Sequence, residues 1–493
     1  MGAPIDRDDV VKTRDLLLWT LAAGCVRLAY FLLIPQAIDS ADSILYLEAA
    51  SAIAEGRFSE IYPRIPLLYP ALSGMLASLS LNVEAVALVV SLLAMTALVP
   101  VLFALAHAAH GKTCAQMFAL LATLWPWLVD YGSRVAPEAV YLLLWFLSAV
   151  LVAHAVRRGG IFALALAGSL SLLVLARPEG ILIALSTVCA SCFFRGEANV
   201  RLSRALPSLL GITVVVALQF AWTRYLSAQT GIAPRFTSAS VSSVFSYWGM
   251  DTVSVGLRIM IVVIPVVLGP LLIALLIPGL RGVSSAERDR PVERTLLLLA
   301  ATQVFAAMLS KFAEPRYVMA AVIALSLWSA RGAVIVSAWL AARQSIPVLK
   351  HLPAAAITCM MLIGLLTNVV PPFLGYNSYR PVEYKVAGLW MRENLTPALI
   401  ISRKPQVGYY AGMKTTGPAP LDTLDDIHER AIDAGARYLV VDERYSVAMV
   451  PSLLPLLEPA NAPDWLRPLH HDLSPFAEAR IVIYEIVPDS ESR

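Results

Sequence analysis

The sequence predicts an all-α polytopic membrane domain of about 11 helices, followed by a small soluble α/β domain. Of the 493 residues, 58% are hydrophobic and only 15% are charged. The mean hydropathy of +0.70 exceeds what the core of a water-soluble protein needs. Apolar runs of about 20 residues alternate with short charged or Pro- and Gly-rich breaks. After Val370 these runs stop and charged residues become frequent, which indicates a separate soluble domain.

The apolar runs define a predicted transmembrane domain, residues 1–375, whose first outer loop spans residues 35–82. A helix needs about 20 apolar residues to cross the hydrocarbon layer of a membrane. The predicted spans are Leu16–Ile34, Val83–Ala106, Ala115–Val129, Pro137–Val156, Ile161–Leu175, Gly180–Phe194, Leu206–Leu226, Leu257–Ile277, Thr295–Leu309, Tyr317–Leu340 and Leu352–Val370. Because their number is odd, the two ends of the domain are expected on opposite sides of the membrane.

Basic residues orient these spans, because cytoplasmic loops are enriched in Lys and Arg. If the N-terminus is cytoplasmic, the predicted inner loops contain Arg157, Arg158, Arg281 and Arg343, among others. The outer segments then hold about half as many cations, and these occur singly. We therefore expect a cytoplasmic N-terminus and an extracytoplasmic C-terminal domain.

The outer cations run against this charge bias and need an explanation of their own. They are Arg57, Arg64, Arg134, Arg177, Arg235, Lys311 and Arg316. Each could be anchored at the membrane interface by a local ion pair, as Arg177 with Glu179 in "ARPEG" and Glu314 with Arg316 in "EPRY" allow. As a group, cations on one membrane face also describe a site for an anionic head group such as a lipid phosphate.

The C-terminal segment, residues 376–493, is predicted to be a small domain with a partly parallel sheet. Glu383–Asn394 has the pattern of an amphipathic helix, and "TLDDIHERAIDAG" is a second helix that ends at Gly435. The stretches "ALIISR", "ARYLVVDER" and "ARIVIYEIV" are predicted strands. No Gly-rich phosphate loop follows them, which argues against nucleotide binding.

Asp39–Phe58, "DSADSILYLEAASAIAEGRF", directly follows the first span and combines helical apolar spacing with acidic residues. It predicts a helix that lies along the outer membrane surface and ends at Gly56. Asp42 has two interpretations. In the structural interpretation, the helix is capped at its start by either Ser40 or Asp42. In the functional interpretation, the Asp42 carboxylate takes a proton from an incoming acceptor hydroxyl, and outer cations such as Arg64 neutralise the leaving group.

Several motifs in the chain resemble those of the GT-C superfamily, specifically the bacterial relatives of glycosyltransferase family 39, which include protein O-mannosyltransferases and lipid A aminoarabinose transferases. The motifs are "DSILYLEAASAIAEGRF", "PRIPLLYPALSGMLASL", "SRVAPEAVYLLLWF", "LLVLARPEGILIAL" and "AEPRYVMAAVIAL". The soluble tail, with "WMRENL" and "GARYLVVDERY", is similar to the extracytoplasmic domain of many such proteins.

The resemblance implies an enzyme of the bacterial cytoplasmic (inner) membrane. Its reaction would be an inverting transfer of a sugar from a polyprenyl-phosphate donor to an acceptor hydroxyl on the outer face. The acceptor would be a glycolipid, a polysaccharide or a protein. The implied roles are general base for Asp42, a second catalytic acidic residue for Glu138, donor-phosphate binding for Arg64, Arg177 and Arg316, and substrate contacts for Asp39, Tyr46 and Tyr69.

Two questions stay open at the level of sequence. Asp42 is followed by Ser43, where the eukaryotic-type mannosyltransferases carry an Asp-Glu pair, so Asp39 is an alternative base. No cofactor is required for the transfer, although a divalent cation is compatible with the carboxylates of the first outer loop. The alternative function is a lipid or glycolipid transporter or flippase, which would favour paired, similarly interrupted halves. The sequence has no such internal repeat.

Overall fold

The computed structural model describes residues 11–194, 198–232, 250–281, 290–309, 314–343, 347–373, 380–472 and 479–487. The predicted outer cations Arg235 and Lys311 lie outside these residues. The chain divides into two compact units. The first comprises Met1–Leu28 and Leu47–Leu365, and the second comprises Ala29–Tyr46 and Leu366–Arg493.

Helices form the first unit and the segments that join it to the second. They are α1 (Thr13–Leu33), α2 (Ala41–Ala54), α3 (Leu68–Ala77), α4 (Val83–His110), α5 (Lys112–Leu124), α6 (Pro126–Tyr131), α7 (Glu138–Arg158), α8 (Ile161–Ala176), α9 (Gly180–Ala190), α10 (Ala198–Thr230), α11 (Met250–Arg258), α12 (Ile264–Arg281), α13 (Arg290–Leu309), α14 (Pro315–Arg343) and α15 (Leu352–Phe373). A π-helical segment, Ile259–Val263, joins α11 to α12.

Eight helices in the described part of the chain are long and apolar enough to cross a membrane. Their burial separates a core from a periphery. In the most apolar 18-residue stretch of α14, 78% of the residues are buried, and the value for α7 is 72%. The values for α1 and α10 are 17% and 11%, because these helices expose leucines such as Leu21 and Leu218. Exposed leucine on a long apolar helix suits contact with lipid tails.

Helices α12 and α14 cross at two glycines, with their backbones in contact. A Cβ atom added to Gly279 would lie 1.9 Å from the Trp328 carbonyl oxygen, and one added to Gly332 would lie 1.8 Å from the Leu275 carbonyl oxygen. No other amino acid fits at either position without moving the helices apart. Close approach at small residues is a common way for membrane helices to pack, because no hydrophobic effect drives apolar helices together in lipid.

The structure breaks the predicted span Ala115–Val129 into two helices. Helix α5 ends at Leu124, and α6 begins at Pro126. Proline has no N–H, so it cannot bond to the carbonyl four residues earlier, that of Ala122. The fully buried Arg27 on α1 donates from Nη2 to this carbonyl at 3.1 Å and from Nη1 to the Ala23 carbonyl at 3.3 Å. The arginine thereby supplies the hydrogen bond that the proline removes.

The second unit contains a five-stranded sheet of order β2-β1-β3-β5-β4. Its strands are β1 (Leu399–Ile401), β2 (Thr415–Thr416), β3 (Ala436–Asp442), β4 (Leu466–Asp472) and β5 (Ile481–Ile486), and its helices are α16 (Val382–Asn394), α17 (Gln406–Ala411), α18 (Leu424–Ala434) and α19 (Ser446–Met449). Strand β1 pairs in parallel with β2 and β3, whereas β5 pairs antiparallel with β3 and β4. The prediction of a partly parallel sheet is confirmed.

Side chains of the sheet alternate between two apolar layers. Leu439 and Val441 on β3 pack on one face with Ile427 of α18. Val440 packs on the opposite face with Met391 of α16. This is the two-residue period of a strand that is buried on both sides.

The ends of α18 follow the sequence closely. Thr423 and Asp426 form a reciprocal capping box at its start, and Gly435 ends the helix with a left-handed φ of 63°. The predicted end of α2 is also confirmed, because this helix stops at Ala54 and Gly56 has a φ of 73°.

Candidate functional site

The start of α2 shows which residue caps this helix. The Ser40 hydroxyl oxygen accepts a hydrogen bond from the backbone N–H of Ser43 at 3.1 Å, and the two serine hydroxyls lie 2.8 Å apart. Asp42 lies in the first turn and is exposed. Of the two capping residues that the sequence allows, the structure therefore uses Ser40. The Asp42 carboxylate stands at the positive end of the helix dipole.

The segment before α2 contacts the C-terminal domain. The Ile38 backbone N–H donates to the Tyr410 hydroxyl oxygen at 3.0 Å, and both residues belong to the second unit. Asp39 follows directly and is half-buried. Tyr46, a predicted substrate contact, lies one turn after Asp42 on α2 and is also half-buried. These residues therefore share a compact unit with the C-terminal domain.

A buried ion-pair cluster occupies the first unit. Arg177 donates from Nη1 to Glu138 Oε1 at 2.9 Å, and its Nε lies 2.6 Å from Glu179 Oε1. The side chains of Arg177 and Glu138 are each only 8% exposed. The predicted local pair of Arg177 with Glu179 is present, and the predicted catalytic residue Glu138 joins it. Two carboxylates on one guanidinium fix its orientation.

Aromatic rings bring Arg316 to the same cluster. The guanidinium carbon of Arg177 lies 4.9 Å from the ring centre of Tyr317, and that of Arg316 lies 5.1 Å from it. Arg316 Nε is 2.8 Å from Glu314 Oε2, the second local pair that the sequence predicts. Arg177 and Arg316 thus lie beside one ring, and Glu138 joins them through its bond with Arg177.

Tyr317 and Tyr141 are functional-site candidates that the sequence analysis did not single out. Arg177 also lies over the Tyr141 ring, at 5.6 Å. The Tyr141 hydroxyl donates to Gln303 Oε1 at 2.7 Å, and the Gln303 amide donates to the Tyr317 carbonyl oxygen at 2.7 Å. A signal for Tyr141 existed, because it lies three residues after Glu138 and therefore on the same face of α7.

The chain break in "ARPEG" sets the position of Arg177. Helix α8 ends at Ala176, and Pro178 prevents it from continuing. Helix α9 begins at Gly180, where an added Cβ would lie 2.2 Å from the Leu173 carbonyl oxygen. Glycine thus lets the next helix start against the last turn of α8, and Arg177 is held at the bend.

Tyr69 and Arg64 lie on either side of the start of α3. Tyr69 is 1% exposed, and its hydroxyl contacts the Ala87 carbonyl oxygen at 2.7 Å and Ser91 Oγ at 2.9 Å. These bonds fasten α3 to α4, and a contact of Tyr69 with substrate stays a prediction. Arg64, in the segment before α3, is exposed.

An apolar cavity of about 380 Å³ lies beside α2, α3 and α10, within the first unit. Its lining includes Ile53, Phe58, Leu67, Ala71, Met75 and Trp222. Trp222 Nε1 is buried and has no hydrogen-bond acceptor among the described residues. The cavity therefore suits an apolar chain that carries a polar group near one end.

A metal site does not emerge from the described ranges, which contain no group of three or more His, Cys, Asp or Glu side chains that could hold an ion.

Comparison with known proteins finds similarity in structure only. No family model matches the chain, and no curated protein matches it. ArnT from Cupriavidus metallidurans, bound to undecaprenyl phosphate, aligns with a TM-score of 0.59 at 14% identity, over 97% of this chain and 99% of ArnT. The Archaeoglobus fulgidus oligosaccharyltransferase AglB, in complex with an inhibitory peptide and a dolichol-phosphate, aligns with a TM-score of 0.58 at 13% identity, over 98% of this chain and 75% of AglB. The chain has the GT-C fold.

The GT-C fold accounts for both units of the chain, because the alignment with ArnT covers nearly all of both proteins. The mycobacterial arabinofuranosyltransferase AftD aligns over 98% of this chain but only 42% of its own length, with a TM-score of 0.50 at 13% identity. Another structure of the Archaeoglobus enzyme contains Zn and sulfate and aligns with a TM-score of 0.57 at 14% identity, over 96% of this chain and 74% of that one.

Proposed function

We propose that this protein is an inverting glycosyltransferase that moves a sugar from a polyprenyl-phosphate donor to an acceptor hydroxyl on the outer face of the bacterial cytoplasmic membrane. The observation that carries the proposal is the GT-C fold over nearly the whole chain, shared with an ArnT structure that holds undecaprenyl phosphate. A donor that is already a lipid phosphate needs no nucleotide-binding domain. The absence of a Gly-rich phosphate loop from the sequence is consistent with this donor.

The proposed reaction is a single displacement at the anomeric carbon of the sugar. The acceptor oxygen forms a bond to this carbon while the bond from the carbon to the phosphate oxygen breaks. The electron pair leaves with the polyprenyl phosphate, and the acceptor proton passes to Asp42. Catalysis then consists of orienting two substrates, supplying one base and neutralising the leaving phosphate.

The geometry at the start of α2 supports Asp42 as the base. Because Ser40 caps the helix, the Asp42 carboxylate is not needed for that hydrogen bond, and it is exposed in the first turn. Asp39 is the alternative base, and it is half-buried. A base must reach the proton of a bound hydroxyl, so exposure favours Asp42.

For the donor, we assign the phosphate to arginines and the isoprenoid tail to the apolar cavity near Trp222. Arg64 is exposed, whereas the side chains of Arg177 and Arg316 are only 8% and 30% exposed. We therefore propose that Arg64 contacts the phosphate directly. The cluster of Glu138, Arg177 and Arg316 would set the charge around the substrates.

Transfer of radiolabelled sugar from polyprenyl-phosphate sugars to membrane acceptors tests the proposal. Asp42→Asn should lower the transfer rate by about 10²- to 10⁴-fold, the usual contribution of a general base, while donor binding is retained. Glu55→Gln is the matched control, because Glu55 is an exposed carboxylate at the end of the same helix, bonded to Ser51 and Arg57. This variant should transfer at the wild-type rate.

Three outcomes separate the alternatives. Loss of transfer in Asp39→Asn with full activity in Asp42→Asn would move the base to Asp39. Equal activity of both variants and the wild type would refute a carboxylate base at this helix. If the folded wild type transfers no sugar from any donor, lipid transport is favoured. The flipping of a labelled lipid across vesicle membranes would then be measured to test it.

The orientation is tested separately. We propose a cytoplasmic N-terminus and an extracytoplasmic C-terminal domain. A membrane-impermeant amine reagent applied to intact spheroplasts should then modify the exposed Lys414 of the C-terminal domain. Modification of Lys414 only after lysis would show the opposite orientation, with the C-terminal domain in the cytoplasm.

A further inference from the structure

Two adjacent cations follow β1 in the C-terminal domain. Arg403 and Lys404 have no carboxylate within ion-pair distance among the described residues. Most described arginines of this domain are ion-paired, namely Arg430, Arg437, Arg444, Arg467 and Arg480. The pair at residues 403–404 therefore differs from its surroundings, and its charge is available to a ligand.

Both cations rest on soft partners. Arg403 Nε lies 3.2 Å from Met449 Sδ, and Lys404 Nζ lies 3.8 Å from the ring centre of Tyr445. Sulfur and an aromatic face are weaker partners for a cation than an anion is. Tyr445 and Met449 are themselves 40% and 36% exposed. Burial lowers the pKa of Lys404, and nearby Asp442 offsets only part of this effect.

The position of the pair within the sheet is one where ligands commonly bind. Strand β1 leads through α17 to β2 on one side, and β3 lies on its other side. In open sheets, ligands occupy the crevice beyond the carboxyl ends of parallel strands whose connections diverge in this way. Arg403 and Lys404 follow β1 at this edge, and Tyr445 follows β3.

The loop after β3 is held rigidly. Asp442 accepts hydrogen bonds from the Tyr384 hydroxyl at 2.8 Å and from the Tyr445 backbone N–H at 2.7 Å. Asp442 also accepts from the Ser446 hydroxyl. These donors occupy its carboxylate and fix the backbone that carries Tyr445. The ring is thus positioned before any ligand arrives, which reduces the entropy lost on binding.

Gln406 provides a second, independent observation near the same edge. Its side chain is 1% exposed, and its Oε1 has no hydrogen-bond donor among the described residues. A buried acceptor without a donor is costly, and a ligand hydroxyl would satisfy it. Gln406 lies two residues after Lys404 and begins α17, the helix that follows β1 at this edge.

We propose that this edge binds an anionic saccharide, with Arg403 and Lys404 on the phosphate or carboxylate group and the Tyr445 ring against the sugar. The inference rests on the proposed function, because it assigns the edge to recognition of a charged acceptor glycan. It names a binding site on the C-terminal domain that is separate from the transfer chemistry. It can therefore fail while the transfer reaction stands.

Amine footprinting of the full chain in zwitterionic nanodiscs tests the site. An acylating reagent modifies lysines, and mass spectrometry reads Lys404 against Lys414, an exposed lysine of the same domain. Glucose 6-phosphate or glucuronate, at ten times its dissociation constant, should slow Lys404 acylation by about tenfold. Lys414 should react at an unchanged rate. Protection by only one of the two sugars supports the proposal and identifies the anion.

Variants separate the contributions. Arg403→Gln should weaken binding of the protecting sugar by about tenfold, whereas Arg392→Gln, on the exposed side of α16, should leave it unchanged. Tyr445→Leu should weaken binding, and Tyr445→Phe should retain it because the ring face remains.

Two results would overturn the proposal. One is equal protection of Lys404 by neutral glucose or by inorganic phosphate alone, which would mean that no anionic saccharide is recognised. The other is protection that Arg403→Gln and Tyr445→Leu both leave unchanged. Binding of polyprenyl phosphate, measured in the same nanodiscs, should be wild-type in these variants. Loss of donor binding in the wild type would count against the proposed transferase and not against this site.

Discussion

Removal of Arg177 tests how the buried cluster is held together. Arg177→Met leaves the carboxylates of Glu138 and Glu179, which are 8% and 15% exposed, without their ion pairs at 2.9 and 2.6 Å. Breaking a buried pair by removing one partner costs about 3–5 kcal/mol. Glu138→Gln keeps the pair of Arg177 with Glu179 and gives up one charge-assisted bond, a loss of about 1.5–3 kcal/mol. The arginine variant should therefore be the less stable of the two.

The assay is equilibrium unfolding of the purified protein in mixed micelles, with each free energy compared to that of the wild type. Combining Arg177→Met with Glu138→Gln and Glu179→Gln should recover most of the loss, because no uncompensated buried charge remains. A change of less than about 1 kcal/mol in Arg177→Met, the level of an exposed pair, would refute the reasoning. A triple variant less stable than Arg177→Met would refute it too.

Three further predictions concern stability. Gly279→Ala should cost about 1–3 kcal/mol in the same unfolding assay, because its Cβ would meet the Trp328 carbonyl. Gly168→Ala, where nothing lies within 4 Å of the added Cβ, should leave the stability unchanged. An equal loss of stability in both variants would contradict the close helix contact as its cause. Ser40→Ala should cost about 1 kcal/mol, because the helix loses its cap. An unchanged stability would contradict the capping role of Ser40. Burial raises the pKa of Glu383 above its ordinary value of 4.5, so its contribution to stability is present below that value and is lost as the pH rises through the raised pKa. In Glu383→Gln, the unfolding free energy should no longer fall with pH in this range. The same pH dependence as in the wild type would argue against a role of Glu383.

Periodic and terminal signals in the sequence located most elements of the fold. Gly56 and Gly435 ended their helices where predicted, because a left-handed residue is encoded locally. Two strands were missed. Strand β2 is only two residues long, and β4 contains Pro468 and two histidines, which lower its strand propensity. Among the described strands β4 lies at the edge of the sheet beside β5, where a proline is tolerated.

The candidate site was only partly accessible from the sequence. Motifs singled out Glu138, Arg177 and Arg316 one by one, and the local ion pairs followed from their neighbours. The Tyr317 ring between the two arginines was not predicted, because it depends on packing between distant parts of the chain. The choice between Ser40 and Asp42 as the cap was equally undecided, since both side chains can accept the same backbone hydrogen bond.

The glycine crossing of α12 and α14 bears on how the protein assembles in the bilayer. Helix α13 lies between the two in the chain, so α12 cannot pack against α14 until α13 and α14 have both been synthesised and inserted. Until then Gly279 lacks the backbone of α14 that packs against it. The crossing therefore forms late in biogenesis. Substitutions there should reduce the yield of correctly inserted protein more than they change the properties of the protein that does insert.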